Sequence, residues 1–285
     1  MKFREIHFRV VLFIAAILSI LWGYQVLFLH HAPDVFNDPL EDMSHGWLVP
    51  FVSLYVLWNE RDQIIKSVGS PVLSGLPLLV FSCFVGFLGV RGVQVRLEIV
   101  GLIGVLLGLV WCVFGRKTMQ KVLFPCLFLL FCLPLHTYLD LITIHLRMLA
   151  VSIAYWALEV LGVDAVRTGT MICSESGKFA IDIADPCSGL RSLFALLALS
   201  TAYSYFAQSK WSRRSILIII SIPLSILGNS VRILSIVLVA ANFSNDFALG
   251  FYHDYSGYIV YFVAISLLVG CDKLLGRGGK PCAKS

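Results

Sequence analysis

The chain has 285 residues, 58% of them hydrophobic and only 14% charged, with a mean hydropathy of +0.86. No soluble domain hides that share of apolar surface, so the composition points to an all-α polytopic membrane protein. The net charge of +5 calls for no nucleic-acid partner, because the lysines and arginines gather in short loops between apolar runs, as the positive-inside distribution expects.

The chain starts with Lys2, Arg4 and Arg9 ahead of an apolar run over 10–29, the pattern of a retained signal anchor with a cytoplasmic start. The acidic stretch 30–45 then lies outside. His30, His31, Asp34 and His45 lack the spacing of a metal site, and the eight cysteines form neither a CxxC pair nor a disulfide framework. No metal or cofactor is expected. Runs over 47–58, 72–90, 97–114 and 122–135 read as successive spans, with charged cytoplasmic loops at 59–66 and 116–121. The stretch 139–161 carries Asp140, His145, Arg147 and Glu159. The basic loop Lys210, Arg213 and Arg214 must be cytoplasmic like 116–121, so one of the three intervening apolar segments does not cross. The charges select 139–161, as a helix lying on the outer interface. With the long apolar helix that begins after the polar segment ending near 191, and with 215–243 and 258–271, this gives about eight transmembrane helices in a single membrane-embedded domain over 1–275. A short cytoplasmic tail follows at 276–285.

Residues 165–184 break the apolar pattern. Val166, Thr168 and Thr170, then Phe179, Ile181 and Ile183, alternate on either side of the turn-like Ser174–Lys178. The expectation is a small extracytoplasmic β-hairpin within an insert at about 162–186. It leads directly into Asp185-Pro186-Cys187-Ser188-Gly189-Leu190-Arg191. That order reads as a helix start, with Asp185 as N-cap and Pro186 in the first turn. Cys187 then lies beside unpaired backbone N–H groups at the positive end of the helix dipole, which favours thiolate over thiol. Arg191 adds positive charge four residues on, and Gly189 leaves room for a substrate backbone. Against this, a cysteine beside a membrane helix is usually a small hydrophobe.

Two later segments favour chemistry. Arg232 lies well inside the apolar run 215–243, about 24 Å along a helix from Ile216 and hence in the outer leaflet. A guanidinium there costs about 3 kcal/mol or more unless it has a partner or a wet cavity. About ten apolar residues follow, too long a path for the side chain to reach water by stretching along the helix. Asn229, three residues back, shares its face and can orient it. His253 precedes the last span, on the outer side by parity. Thiol, guanidinium and imidazole thus converge near one membrane surface, where they can attack a carbonyl, hold an oxyanion and move a proton.

Cys187-Ser188-Gly189-Leu190-Arg191, Asn229-Ser230-Val231-Arg232 and His253 before Ser256-Gly257 resemble the three signature blocks of the exosortase/archaeosortase family. Ser44–Pro50 and Phe131–Leu135 are similar to weaker family features. The resemblance implies an enzyme of the inner membrane, multi-pass, with both termini cytoplasmic and the site on the periplasmic side. Its partners would be exported proteins ending in a Pro-Glu-Pro-type motif, a transmembrane helix and a basic tail, with an amine, a glycan or water as acceptor. It assigns Cys187 as nucleophile, Arg232 as stabiliser of oxyanion or thiolate and His253 as acid/base, supported by Asp185, Ser188, Gly189, Arg191 and Asn229. A histidine at the third position points to the bacterial exosortase side, as a core enzyme. Two other classes suit the composition: a transporter or non-catalytic component of an exopolysaccharide assembly system, and a membrane acyltransferase acting on a lipid or sugar. Neither needs Cys187 and His253 together.

Overall fold

Backbone in hydrocarbon has to bond to itself, and the chain answers with helices broken by one small sheet. The computed structural model describes the backbone of residues 2–37, 43–182, 190–208 and 210–276; of these, 2–7, 44, 136–141, 190–191 and 253–254 are described by backbone alone. The chain divides into two compact units, Met1–Leu135 and His136–Ser285.

The first unit comprises α1 (Lys2–Gly23), a π-helical turn at Leu27–His31, α2 (Ala32–Asn37), α3 (Leu48–Asn59), α4 (Arg61–Lys66), α5 (Leu76–Gly92), α6 (Val95–Phe114) and α7 (Arg116–Phe128). Its centre is the α5–α6 pair. A Cβ on Gly101 of α6 would lie 2.5 Å from the Cα of Gly86 on α5, so only glycines let these backbones meet. Tyr24 sets its hydroxyl on the same seam, where a Cβ on Gly86 would lie 1.8 Å from it. Glu98, fully buried at the start of α6, is matched by His31, whose Nδ1 lies 2.8 Å from Oε1. His31, weighed as a metal ligand from its neighbours in sequence, therefore faces a buried carboxylate.

The second unit comprises α8 (His136–Val160), strands β1 (Val166–Thr168), β2 (Met171–Cys173) and β3 (Ala180–Asp182), then α9 (Leu190–Ala207), α10 (Trp211–Asn242), α11 (Asn245–Phe247) and α12 (His253–Leu274). The strands form an antiparallel sheet in the order β1-β2-β3, with Arg167 opposite Ile172 and Ile172 opposite Ile181. A single hairpin around 174–178 is expected from the alternation. The structure adds a second turn, at Gly169 and Thr170, where Gly169 adopts φ +66° and lets the first arm fold back within two residues. Ile172, Phe179 and Ile181 form one core with Val151, Ala154 and Leu158 of α8 and Ile233, Ile236 and Val237 of α10.

Among the described residues, four helices are long and apolar enough to cross a membrane: Leu73–Gly92, Val95–Phe114, Trp211–Asn242 and Tyr255–Leu274. The pair Phe8–Gly23 and Leu27–Asn37, bent by 58°, would make a fifth. The expected count of about eight therefore includes segments that fall short. The run 47–58 lies largely in α3, of 12 residues, while 122–135 is divided between the end of α7, a helix of 13 residues, and a 3-10 turn at Leu129–Cys132. At standard rise these two helices span about 18–20 Å against a core of about 30 Å. Charge limits both: α3 stops at Asn59 where Glu60 and Arg61 begin, and α7 gives its first turns to Arg116, Lys117 and Lys121. The described apolar part of α9, Ser192–Ala207, reaches about 24 Å.

The turn joining β2 to β3 is held by one carboxylate. Asp164 accepts from the Ser174 hydroxyl at 2.9 Å, the Ser176 hydroxyl at 3.0 Å and the Ser176 amide at 3.3 Å. The Ser174 hydroxyl, then those of Ser176, holds its carboxyl below the ordinary 3.8. A lowered carboxyl pKa adds stability that is complete above the unfolded value and lost as pH falls through the folded one. Protection of the Ser176 amide, relative to its intrinsic exchange rate at the same pH, is therefore expected to fall in Asp164→Ala, and in the wild type below the carboxylate range. Equal protection in both proteins at neutral pH would mean the clamp contributes nothing.

Candidate functional site

α10 changes character along its length. Before Arg232, Ile216, Ile219, Ile222, Leu227 and Val231 are exposed, as lipid-facing residues are; from Arg232 to Ala241 no residue is. The covered half packs under α8 and the sheet. Arg214 in the first turn of α10 and Arg232 are 18 residues apart, about 27 Å of helix, close to the thickness of the hydrocarbon core. With Arg213 and Arg214 at one membrane face, Arg232 sits at the opposite edge. The apolar run beyond it is apolar because protein covers it.

Arg232 is half-buried, and its Nε donates to Ser256 Oγ at 3.1 Å. Ser256 is 2% exposed, on the inner face of α12, and a Cβ on Gly257 would touch the guanidinium at 3.7 Å. Arg232 lines a small cleft between α9, α10 and α12 together with Ser192, Ser225, Asn229, Gly257 and Tyr261. The cleft offers about 30 Å³, room for roughly one water. Ser192 and Ser225 place their hydroxyls 3.3 Å apart across it. Ser225, Asn229 and Arg232 follow at spacings of four and three, so a single stripe of α10 supplies them.

Of the residues singled out from sequence, Arg232 and Asn229 meet in this cleft. His253 is the first residue of α12 and is described by its backbone; position 253 shares a helix face with Ser256 and Gly257, one turn nearer the N-terminus. A π-helical turn, Ala248–Tyr252, with Gly250 off helical angles at φ −86° and ψ −107°, bends the chain into that start. Arg191 is the second residue of α9, again as backbone. Asp185, Cys187, Ser188 and Gly189 lie outside the described residues, as does the expected helix start at 185–187. Ser192, Ser225 and Tyr261 carry no expectation from sequence, and Ser256 enters there only as a neighbour of His253 in the third block. The signal for them is helical spacing from motif residues, a small hydroxyl one turn from Arg232's stripe or from His253.

The far end of the bundle is tied separately. Asp272, 5% exposed, accepts from Tyr203 Oη at 2.8 Å and from Gln208 Nε2, while Arg214 Nε donates to the Gln208 carbonyl at 2.6 Å. This fixes α9, α10 and α12 to one another at the basic end.

Fold and site together define a multi-helix membrane protein with a cationic, hydroxyl-lined cleft at one edge of its apolar layer. Residues 38–270 match the family described as transmembrane exosortase (Exosortase_EpsH), and the chain belongs to that family. No curated protein and no solved structure matches it.

Replacing Ser256 by alanine removes the acceptor that aims Arg232. A hydrogen bond to a charged group contributes about 1.5–3 kcal/mol, so any activity that depends on Arg232 being held there is expected to fall about tenfold or more. Ser256→Thr, which keeps an oxygen, should recover most of it. Equal turnover in Ser256→Ala and wild type would show that Arg232 needs no such aim.

Proposed function

We propose that the protein is a cysteine-dependent endopeptidase and transpeptidase that processes the C-terminal sorting signal of exported proteins. The observation that carries this reading is the placement of Arg232 at the membrane edge, bonded to Ser256, one turn along α12 from position 253. Covalent reach supports a place for Cys187 beside it. Residue 187 is five residues from Asp182 at the end of β3 and five from Ser192 in the cleft, no more than about 18 Å of chain either way. β3 itself packs against α10 through Ile181 and Ile233, next to Arg232.

In this reading His253 takes the Cys187 thiol proton and the sulfur adds to the scissile carbonyl carbon. The oxyanion that forms is held by the Arg232 guanidinium, with Asn229 and Ser256 keeping that group in place. The C–N bond then breaks, and His253 returns its proton to the leaving amine. An amine, a glycan nucleophile or water next attacks the thioester while His253 accepts its proton, and the sulfur leaves to restore the thiol. In this reading Asp185, Ser188, Gly189 and Arg191 are the residues that support the nucleophile, as their neighbourhood to Cys187 in the sequence implies. The basic residues Lys210, Arg213 and Arg214 mark the cytoplasmic face of the inner membrane by the positive-inside rule, which puts the cleft on the periplasmic side.

Cleavage of a reporter carrying a sorting signal, followed in membranes, tests the assignment. Cys187→Ala and Cys187→Ser should insert normally and leave the reporter uncut. Arg232→Lys should lower the rate about a hundredfold, through loss of the planar two-donor hold. His253→Ala should lower it by a similar factor or more. Wild-type cleavage by Cys187→Ala would falsify the mechanism. Labelling of Cys187 by a membrane-impermeant maleimide only after permeabilisation would overturn the side assigned to the site.

A further inference from the structure

The first unit contains a groove of about 810 Å³, separate from the residues assigned to the chemistry. Its walls come from α1, α3, α6 and α7, through residues such as Ile17, Leu57, Leu106, Val110 and Val122. The wall is apolar apart from Ser53, Thr118 and Arg61. Along α6 the groove runs from Ile99 to Phe114, 15 residues or about 22 Å, longer than one leaflet of about 15 Å. At one end it closes on Phe36, Trp47 and Cys132.

The other end opens onto charge. Arg61, which lines it, lies over the Trp58 ring at 4.7 Å and donates from Nη1 to the Trp58 carbonyl at 2.9 Å. Several contacts draw the surrounding segments to the same end. Arg9 donates to the Gly69 carbonyl at 3.3 Å, and the Gly69 amide donates to the Phe114 carbonyl at 2.9 Å. Phe13 meets Phe114 with ring centroids 5.0 Å apart, and Lys121 Nζ donates to Gln63 Oε1 at 3.1 Å. The segments gathered there carry Arg9, Arg61, Lys66, Arg116, Lys117 and Lys121 against the carboxylates of Glu60 and Asp62.

We propose that this groove is a binding site for an anionic phospholipid of the surrounding bilayer, with an acyl chain along α6 and the phosphate against the cations around Arg61. An apolar trough longer than a leaflet is deep has room for an extended hydrocarbon chain, and a net-positive mouth at the membrane surface selects the headgroup. A zwitterionic lipid gains nothing from that net charge. A partner's transmembrane helix followed by a basic tail would be repelled by it, and would need a channel about 10–12 Å wide.

The test is native mass spectrometry of the full-length protein, stripped of lipid in detergent and offered phosphatidylglycerol and phosphatidylcholine with identical acyl chains. Phosphatidylglycerol should be retained preferentially. That preference should fall about fivefold for each cation removed in Arg61→Gln and Lys121→Gln, and persist in Arg61→Lys. Leu57→Trp, which fills the groove without touching charge, should reduce retention of both lipids. Equal retention of the two lipids by the wild type would overturn the proposal. So would an unchanged preference in the Arg61→Gln, Lys121→Gln double variant, or full retention by a folded Leu57→Trp protein. A photoreactive group at position 57 that captures a sorting-signal peptide helix in preference to phosphatidylglycerol would assign the groove to a partner helix and likewise overturn it.

Discussion

A guanidinium at the edge of a hydrocarbon layer has to be given acceptors and a wet side, and the second unit is arranged around doing so for Arg232. The cost of leaving such a group unmet is about 3 kcal/mol at the centre of the layer on insertion scales, and it falls towards the edge. Ser256 supplies an acceptor from α12, while Asn229 and Ser225 extend a polar stripe beneath it on α10 itself. Above Arg232 the sheet and α8 take over from lipid as the covering of α10. The depth of the cleft follows from this handover, because the guanidinium lies where the lipid-exposed half of α10 ends.

Arg232 itself was legible in the sequence, since a lone cation inside a long apolar run stands out whatever surrounds it. So was the turn at 174–178, where serines and Gly177 interrupt an alternating pattern. What covers an apolar residue was not legible. Ile233, Ile236 and Val237 read only as part of an apolar run, yet they share a buried core with Ile172 and Ile181, which lie some fifty to sixty residues earlier in the chain. Hydropathy records only that water is excluded, not whether lipid or protein excludes it. The same ambiguity touches the span count: apolar character at 47–58 and 122–135 says nothing about whether a helix continues far enough to cross. Cys187 stands out from its local pattern together with the Arg232 and His253 segments, and it lies among residues that the structure does not describe, so the role proposed for it rests on the argument of reach and on the motif resemblance.

The two units place buried polar groups by different means. In the first, Glu98 is held inside by a dedicated partner, His31, beside a glycine seam that brings α5 and α6 together. In the second, hydroxyls and amides of three helices share one interface, and several serines bond back to carbonyls of their own helix: Ser200 to Leu197, Ser221 to Ile218, Ser230 to Ile226. A hydroxyl satisfied in this way can lie at a helix contact at little cost, which lets polar residues line a cleft inside the apolar layer.

That shared interface also fixes the cleft's geometry from a distance. Ser256, Val260, Ala264, Leu268 and Asp272 recur every four residues on the inner face of α12, with Ser256 at the cleft and Asp272 at the basic end. The two lie 16 residues apart, about 24 Å of helix. A rotation or slide of α12 would therefore have to break the Arg232 bond at one end and the Tyr203 and Gln208 bonds at the other in the same movement. Two anchors on one rigid helix hold position 253 relative to Arg232 far more tightly than either could alone. Preorganisation of that kind is what a site needs if its acid/base group and its oxyanion donor come from different helices.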